Sequence, residues 1–274
     1  MTSMKKFIFG LGAAALLAIS SLAAAENKTE LQWFGQAAFK ITTPGGKVIM
    51  IDPWLVTNPK TPEQYKKLDT VGKVDLILVS HGHFDHFADV PALAKLNNAP
   101  VYGPAGLMQS VAALDILPAA QANRFGKSGT VTPLGPQIRI TGVHAEHSSE
   151  LAYKNPVTGK DEVHVGGEPI GFIIELENGF KIYHMGDTGL FGDMRFIAQY
   201  YKPDLILIPI GGHFVMDPKD AAMATHDWLT PKFAIPMHYG TTPVLKGTPA
   251  EYIAALGKSS TKVMVMNPGD KVEF

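Results

Sequence analysis

The chain has 274 residues, 46% of them hydrophobic and 18% charged, so it can bury a substantial core in one or two domains. Its 24 Lys and Arg residues nearly balance its 25 Asp and Glu residues, and the net charge of −1 argues against the broad basic surface that nucleic-acid binding requires. The chain has no cysteine, which excludes disulfides and thiolate ligands, so nitrogen and oxygen atoms must hold any bound metal.

The N-terminal residues have the pattern of an export signal. Two lysines precede the apolar run FIFGLGAAALLAI, and Ala23 and Ala25 satisfy the small-residue rule for cleavage before Glu26. A membrane anchor is the alternative, but the run has 13 residues and a spanning helix needs about 20. We therefore expect a signal peptide over residues 1–25 and an exported protein over 26–274 with no stable membrane span. In a Gram-negative bacterium that protein would be periplasmic.

Beyond the leader, apolar runs of strand length alternate with helical patterns, and no linker divides the chain. The turn Pro44-Gly45-Gly46 predicts a hairpin between residues 31–42 and 47–52. Further strands are predicted, in chain order, in VDLILVS, APVYG, QIRITGVH, GFIIEL, FKIYHMG, PDLILIPIG, KFAIPMH and KVMVMN. Helices are predicted over 87–96, 105–115, 218–229 and 249–256, and long loops over 54–70 and 150–169. The alternation indicates one α/β or layered α+β domain.

Four of the predicted strands end directly in a histidine or aspartate. They lead to His81, Asp187, His213 and His238. Ligand sites in α/β sheets form where loops converge at the carboxyl ends of strands. We therefore expect these four side chains to share one site.

The densest of these clusters is the stretch SHGHFDH, residues 80–86, with three imidazoles and a carboxylate. A core tolerates such a density only if strong partners satisfy the ring nitrogens, and a metal is such a partner. In an extended loop, positions two apart point the same way, so His81 and His83 can bind one ion while Asp85 and His86 turn toward a second.

The cluster is accompanied by AEHSS at 145–149, HMGDTGLFGDM at 184–194, PIGGHFVMDP at 209–218 and IPMHYGT at 235–241. In this order the motifs resemble the metallo-β-lactamase superfamily. Specifically, they resemble its branch of uncharacterised metal-dependent hydrolases, which is similar to ascorbate-6-phosphate lactonase and N-acylphosphatidylethanolamine phospholipase D. The resemblance implies an αββα sandwich over 26–274 with two metal ions. The implied ligands are His81, His83 and His147 for one ion, Asp85, His86 and His238 for the other, and Asp187 as the bridge.

Several assignments have alternatives. His144 competes with His147 as a ligand, and the Ser-Ser that follows His147 favours the latter. His213 is assigned with Asp85 to catalysis, although a plain loop histidine explains it equally well. Asp52, at a strand end, is expected to support the ligand loop. Imidazole and carboxylate ligands suit Zn²⁺ best, while Mn²⁺, Fe²⁺ and Ni²⁺ accept the same set.

Two departures from other superfamily members narrow the expected function. The absence of cysteine argues against antibiotic hydrolysis of the type that uses a thiolate ligand, and a histidine at position 83 argues against oxygen chemistry. We expect a hydrolase in which a hydroxide held by two metals cleaves a lactone, an ester or a related bond of a small molecule. A phosphodiesterase and a non-catalytic metal- or ligand-binding protein are the alternatives. The stretch 150–169 is polar and Gly-rich, like a mobile lid, and the sequence leaves its role open.

The leader predicts a specific mature terminus. N-terminal sequencing of the protein from its native host should begin at Glu26 and should find it in a soluble exported fraction. Retention of the two N-terminal lysines in a membrane pellet would contradict this prediction.

Overall fold

The structure, a computed structural model, describes residues 28–274. The predicted signal peptide lies outside the described residues. The strands, in chain order, are β1 (Glu30–Gly35), β2 (Ala38–Thr42), β3 (Val48–Ile51), β4 (Leu76–Leu78), β5 (Val101–Pro104), β6 (Ala122–Phe125), β7 (Thr130–Val131), β8 (Arg139–His144), β9 (Glu150–Lys154), β10 (Asp161–Val165), β11 (Ile170–Glu175), β12 (Lys181–His184), β13 (Leu205–Pro209), β14 (Phe233–Met237), β15 (Lys262–Val263) and β16 (Lys271–Glu273).

The α-helices are short and lie between the strands. They are α1 (Phe84–Phe87), α2 (Val90–Asn97), α3 (Ala105–Ala113), α4 (Met194–Tyr201), α5 (Pro218–Met223) and α6 (Pro249–Leu256). Two 3₁₀ turns at Glu63–Lys66 and Leu68–Val71 occupy the predicted loop 54–70, and a π-helical turn at Ala224–Leu229 continues α5. No helix of residues 28–274 has the length and hydropathy needed to cross a membrane.

Two seven-stranded sheets pack face to face. The first has the order β16-β1-β2-β3-β4-β5-β6 and the second the order β15-β14-β13-β12-β11-β8-β7. Alternate apolar residues of both sheets, such as Ile49 and Leu207, form the buried layer between them. Helices α1 to α3 cover the outer face of the first sheet, and helices α4 to α6 cover the outer face of the second sheet. The αββα sandwich is thus confirmed.

The parallel strands of the two sheets determine where the loops with the candidate ligands lie. In the first sheet β3, β4, β5 and β6 run parallel, and in the second sheet β12, β13 and β14 do so. β3, β4, β5, β12, β13 and β14 are mostly buried, because both faces of each sheet are covered. The loops at the carboxyl ends of β3, β4, β12 and β14 carry the polar residues of the candidate site.

Some predicted elements differ from the observed ones. Residues 31–42 form two strands, because Gly35 and Gln36 turn the chain with φ values of 107° and 51°. The helix predicted over 87–96 is split into α1 and α2 next to Pro91, which cannot donate a hydrogen bond to the preceding turn. The helix over 249–256 is confirmed to the residue, since Thr248 and Glu251 form a capping box.

The stretch 150–169, predicted as a loop, contains the antiparallel hairpin β9–β10. Its base is fixed to the ligand loop: Gly82 N donates to Ser149 Oγ at 3.1 Å, and a Cβ added at Gly82 would lie 2.9 Å from the Glu150 carbonyl oxygen. Across that base, Ser149 Oγ donates to the Gly166 carbonyl at 2.8 Å. These contacts argue against free movement of the base of the hairpin as a lid.

Candidate metal centre

The stretch SHGHFDH leaves β4 and is held by one buried carboxylate. Asp52, at the end of β3, accepts hydrogen bonds from Ser80 N at 2.7 Å and Ser80 Oγ at 2.6 Å. Its Oδ2 also accepts from His86 Nδ1 at 2.8 Å. This contact turns His86 Nε2 toward the site and fixes the ring, as carboxylates do for metal-binding histidines. Asp52 thus has the contacts of the supporting residue that was expected.

The first group of candidate ligands is His81, His83 and His147, whose ring nitrogens lie within 4.8 Å of one another. His81 Nε2 and His83 Nδ1 are 2.9 Å apart, so His83 faces the group with Nδ1. Its Nε2 lies 2.8 Å from Glu150 Oε2 on β9. Glu150 therefore orients His83 from outside the group.

The second group is Asp85, His86, Asp187 and His238. His238 Nε2 lies 3.0 Å from Asp187 Oδ2 and 3.4 Å from Asp85 Oδ2. His86 Nε2 lies 3.2 Å from Asp187 Oδ1. The residues come from α1 and from the loops after β12 and β14, so both sheets contribute to this group.

Asp187 connects the two groups. Besides its contacts in the second group, its Oδ2 lies 3.6 Å from His147 Nε2 and 4.0 Å from His81 Nε2. Its side chain is only 3% exposed, and it has four imidazoles around it. This is the position that a bridging carboxylate needs.

The carboxylates and imidazoles of the second group strongly shift one another's pKa values. Burial disfavours the charged forms, but the imidazoles of His238 and His86 outweigh it and hold the pKa of Asp187 well below its usual value. Burial also opposes protonation of His238, yet Asp187 outweighs it and raises that pKa to about 9. In the first group burial prevails and lowers the pKa of His81 well below its usual value. Burial likewise lowers the pKa of His147. The carboxylates of the second group are anionic, and protons or cations can neutralise them.

The donor set fits divalent cations. Four buried atoms of the two groups have no hydrogen-bond partner among residues 28–274: His86 Nε2, His147 Nε2, Asp187 Oδ1 and His238 Nδ1. Such atoms are costly unless a ligand satisfies them. Three of them lie close to another candidate ligand, as metal-binding atoms would: His86 Nε2 is 3.2 Å from Asp187 Oδ1, and His147 Nε2 is 3.6 Å from Asp187 Oδ2. The described residues thus hold two adjacent groups that could each bind an ion.

Comparison with known proteins identifies the family. A model described as a β-lactamase superfamily domain matches residues 47–239. A UPF0173 metal-dependent hydrolase of Polaromonas sp. (strain JS666) is 60% identical over 274 residues, the full length of both chains. Another from Cupriavidus necator is 66% identical over 250 residues, which are 90% of this chain and 86% of that protein. The chain belongs to the metallo-β-lactamase superfamily.

Solved structures agree with this assignment. Igni18, described as a novel metallo hydrolase from the archaeon Ignicoccus hospitalis, is 32% identical with a TM-score of 0.74, over 90% of this chain and 98% of its own. The resemblance read from the motifs is therefore confirmed, and this superfamily member is a metal-dependent hydrolase.

The hydrolase brings together all seven residues that were predicted as metal ligands. Two histidines that the sequence offered for this site, His144 and His213, lie outside both groups. His144 is not in either group; its ring packs on Phe191, and its Nδ1 lies 3.2 Å from Lys127 Nζ. His213 is exposed on the rim with φ 63° and lines a neighbouring groove, while its neighbour Phe214 lines the pocket above the ligands. This placement does not support the predicted catalytic role of His213.

Two polar residues of the site were not predicted. Gln36 lies in the β1–β2 turn, 2% exposed, with its side-chain nitrogen 2.7 Å from both Asp85 Oδ2 and His238 Nε2. Glu150 is the second, through its contact with His83. Both are single residues far in sequence from the ligand loop. The only local signal for Gln36 is one polar side chain in the apolar stretch WFGQAAF.

Removing the charge of Asp187 should separate the two metal groups. Asp187→Asn keeps the size but loses the anion between them, so metal content should fall from near two ions per chain toward one, held by His81, His83 and His147. Turnover should fall by about 10²- to 10³-fold. Metal analysis and kinetics check this, with Asp193→Asn, an exposed aspartate outside both groups, as the matched control. Two retained metals with near-normal turnover would rule out the bridge.

The raised pKa of His238 predicts proton release. Metal-free His238, with a pKa near 9 instead of 6.5, is protonated at pH 7, whereas a ligand imidazole must be neutral. Metal affinity should therefore increase with pH up to about 9. Without metal, the stability that the protonated ring contributes is complete below pH 6.5 and is lost as the pH rises through about 9.

Titration calorimetry of zinc binding at pH 7, in buffers of different ionisation enthalpy, measures this release. His226→Ala, which removes an exposed histidine, should release the same number of protons as the unchanged protein. A binding enthalpy that is independent of the buffer would refute the proposed protonation.

Proposed function

We propose that this hydrolase uses two divalent cations to cleave an ester or lactone bond in an uncharged small molecule. The observation that carries the two-ion proposal is the position of Asp187, buried within 4.0 Å of imidazoles from both ligand groups. When bound, two such cations activate a water and stabilise the negative charge that develops on the attacked group. Zn²⁺ is proposed first for this nitrogen and oxygen ligand set, with Mn²⁺, Fe²⁺ or Ni²⁺ as alternatives.

The residues of the chain prepare the site for that reaction. Asp52 and Glu150 fix two of the ligand imidazoles through their outer nitrogens. Asp85 stays ionised, because His86 and a hydrogen bond from His238 outweigh its burial and hold its pKa at about 2. It lines the pocket, so it can accept a hydrogen bond from a water on the pocket floor.

The pocket above the ligands favours an uncharged substrate. Its volume is about 370 Å³, within the range of small-molecule sites. The walls opposite the ligands are formed by Phe84, Phe214 and Leu245, and none of its described lining residues is Lys or Arg. Because no Lys or Arg lines the pocket, the charge of a phosphodiester would be paired only at the ligand groups and their cations, whereas an ester or lactone brings no charge that needs pairing. This is why we prefer ester cleavage to the phosphodiesterase alternative.

We also propose that the hydrolase acts outside the cytoplasm, in the periplasm if the host is Gram-negative. Only the leader pattern of residues 1–25 supports this proposal.

A substrate panel tests the proposed reaction. Protein stripped with a chelator and reloaded with zinc or manganese should hydrolyse nitrophenyl acetate and simple lactones, and should do so at least tenfold faster than bis-nitrophenyl phosphate or a chromogenic cephalosporin. His81→Ala should abolish the activity, because it removes one ligand of the first group, whereas His226→Ala should leave it unchanged. Full activity in metal-free protein, or preference for the phosphodiester, would refute the proposal.

A further inference from the structure

An exposed phenyl ring separates two cavities beside the metal centre. Phe84 lies in the ligand loop between His83 and Asp85, and its side chain is 59% exposed. The ring is held edge-to-face against the buried Trp54, with centroids 5.4 Å apart. It lines both the pocket above the ligands and a second groove of about 580 Å³. A bound ligand that covers the ring would explain why a large apolar side chain is exposed to solvent next to the candidate site.

The second groove is mainly apolar. It runs between the start of the α1–α2 segment, the residues after α3 and strand β9. Its lining includes Phe87, Pro91, Leu114, Ile116, Leu151 and Tyr153. The charged side chains in this lining are Asp115 and Lys154, both on exposed residues. The groove thus offers apolar contact without a fixed charge in its buried part.

The groove is preformed at the end that meets the metal centre. The contact of Gly82 with the backbone of Glu150 holds β9 against the ligand loop, and Leu151 beside it is 1% exposed. Because the walls are already packed there, binding would not require ordering of that part of the hairpin.

We propose that this groove binds the aliphatic chain of an ester or lactone whose scissile bond lies at the metal centre, with the chain passing over Phe84. This inference rests on the proposed function and specifies its substrate class. An alkyl chain requires an apolar lining and exposed phenyl surface, and Phe84 lines both cavities. Burial of each methylene is favourable, whereas a polar chain would lose hydrogen bonds to water.

A chain-length series tests the groove. For nitrophenyl acetate, butyrate, hexanoate and octanoate, used below micelle-forming concentrations, kcat/KM should rise by up to about fourfold per methylene that enters the groove, equivalent to about 0.8 kcal/mol. Two variants place a bulky side chain at residues that line the groove: Ala88→Trp at the end of α1 and Ala152→Trp on β9, both at exposed positions. Ala254→Trp, at an exposed position of α6 outside both cavities, is the matched control.

The acetate reaction separates the inference from the proposed function. We expect each groove variant to hydrolyse acetate within about twofold of the unchanged protein and to lose at least tenfold on octanoate, while the control keeps both activities. The proposed role of the groove would be overturned if all four proteins had the same chain-length dependence, or if the unchanged protein had none. Hydrolysis of acetate would in that case still support the proposed function. If the metal-loaded protein hydrolyses no ester, acetate included, the proposed function and this inference both fall.

Discussion

The site depends on one buried carboxylate surrounded by imidazoles. Asp187 contacts His86 and His238 at 3.0 to 3.2 Å and lies within 4.0 Å of His81 and His147, at a depth where an uncompensated charge would be very unfavourable. Protons on the second group compensate it in the absence of metal, and cations can do so more strongly. Metal binding, proton release and the separation of the two groups are therefore linked through a single side chain.

The fold meets this constraint by bringing the carboxyl ends of strands from both sheets to one edge. Asp52 and the ligand loop come from the first sheet, and Asp187 and His238 follow strands of the second. Asp52, His238 and Gln36 have φ values between 46° and 55°, a region that non-glycine residues rarely adopt. Such strain persists where the surrounding contacts fix the backbone, and it is typical of functional sites.

The two cavities at this edge differ in what they offer a ligand. The pocket above the metal groups combines ligand atoms on its floor with aromatic walls, whereas the groove beyond Phe84 is apolar in its buried part. Together they favour a substrate with a reactive polar end and an apolar chain. Strand β9 borders both the candidate metal centre and the groove, because Glu150 contacts His83 while Leu151 and Tyr153 line the groove.

The sequence determined what is encoded locally: the contiguous ligand loop, the strand-end motifs, and α6, whose cap lies within four residues of its start. It could not determine features that depend on distant contacts. The turn at Gln36 was hidden in an apolar run, and the hairpin in 150–169 resembled a loop. His213 follows a strand end but lines a neighbouring groove and not the pocket above the ligands. Only the tertiary structure decided these three features, because contacts between residues distant in sequence determine where each strand end faces and which charged side chains lie close together.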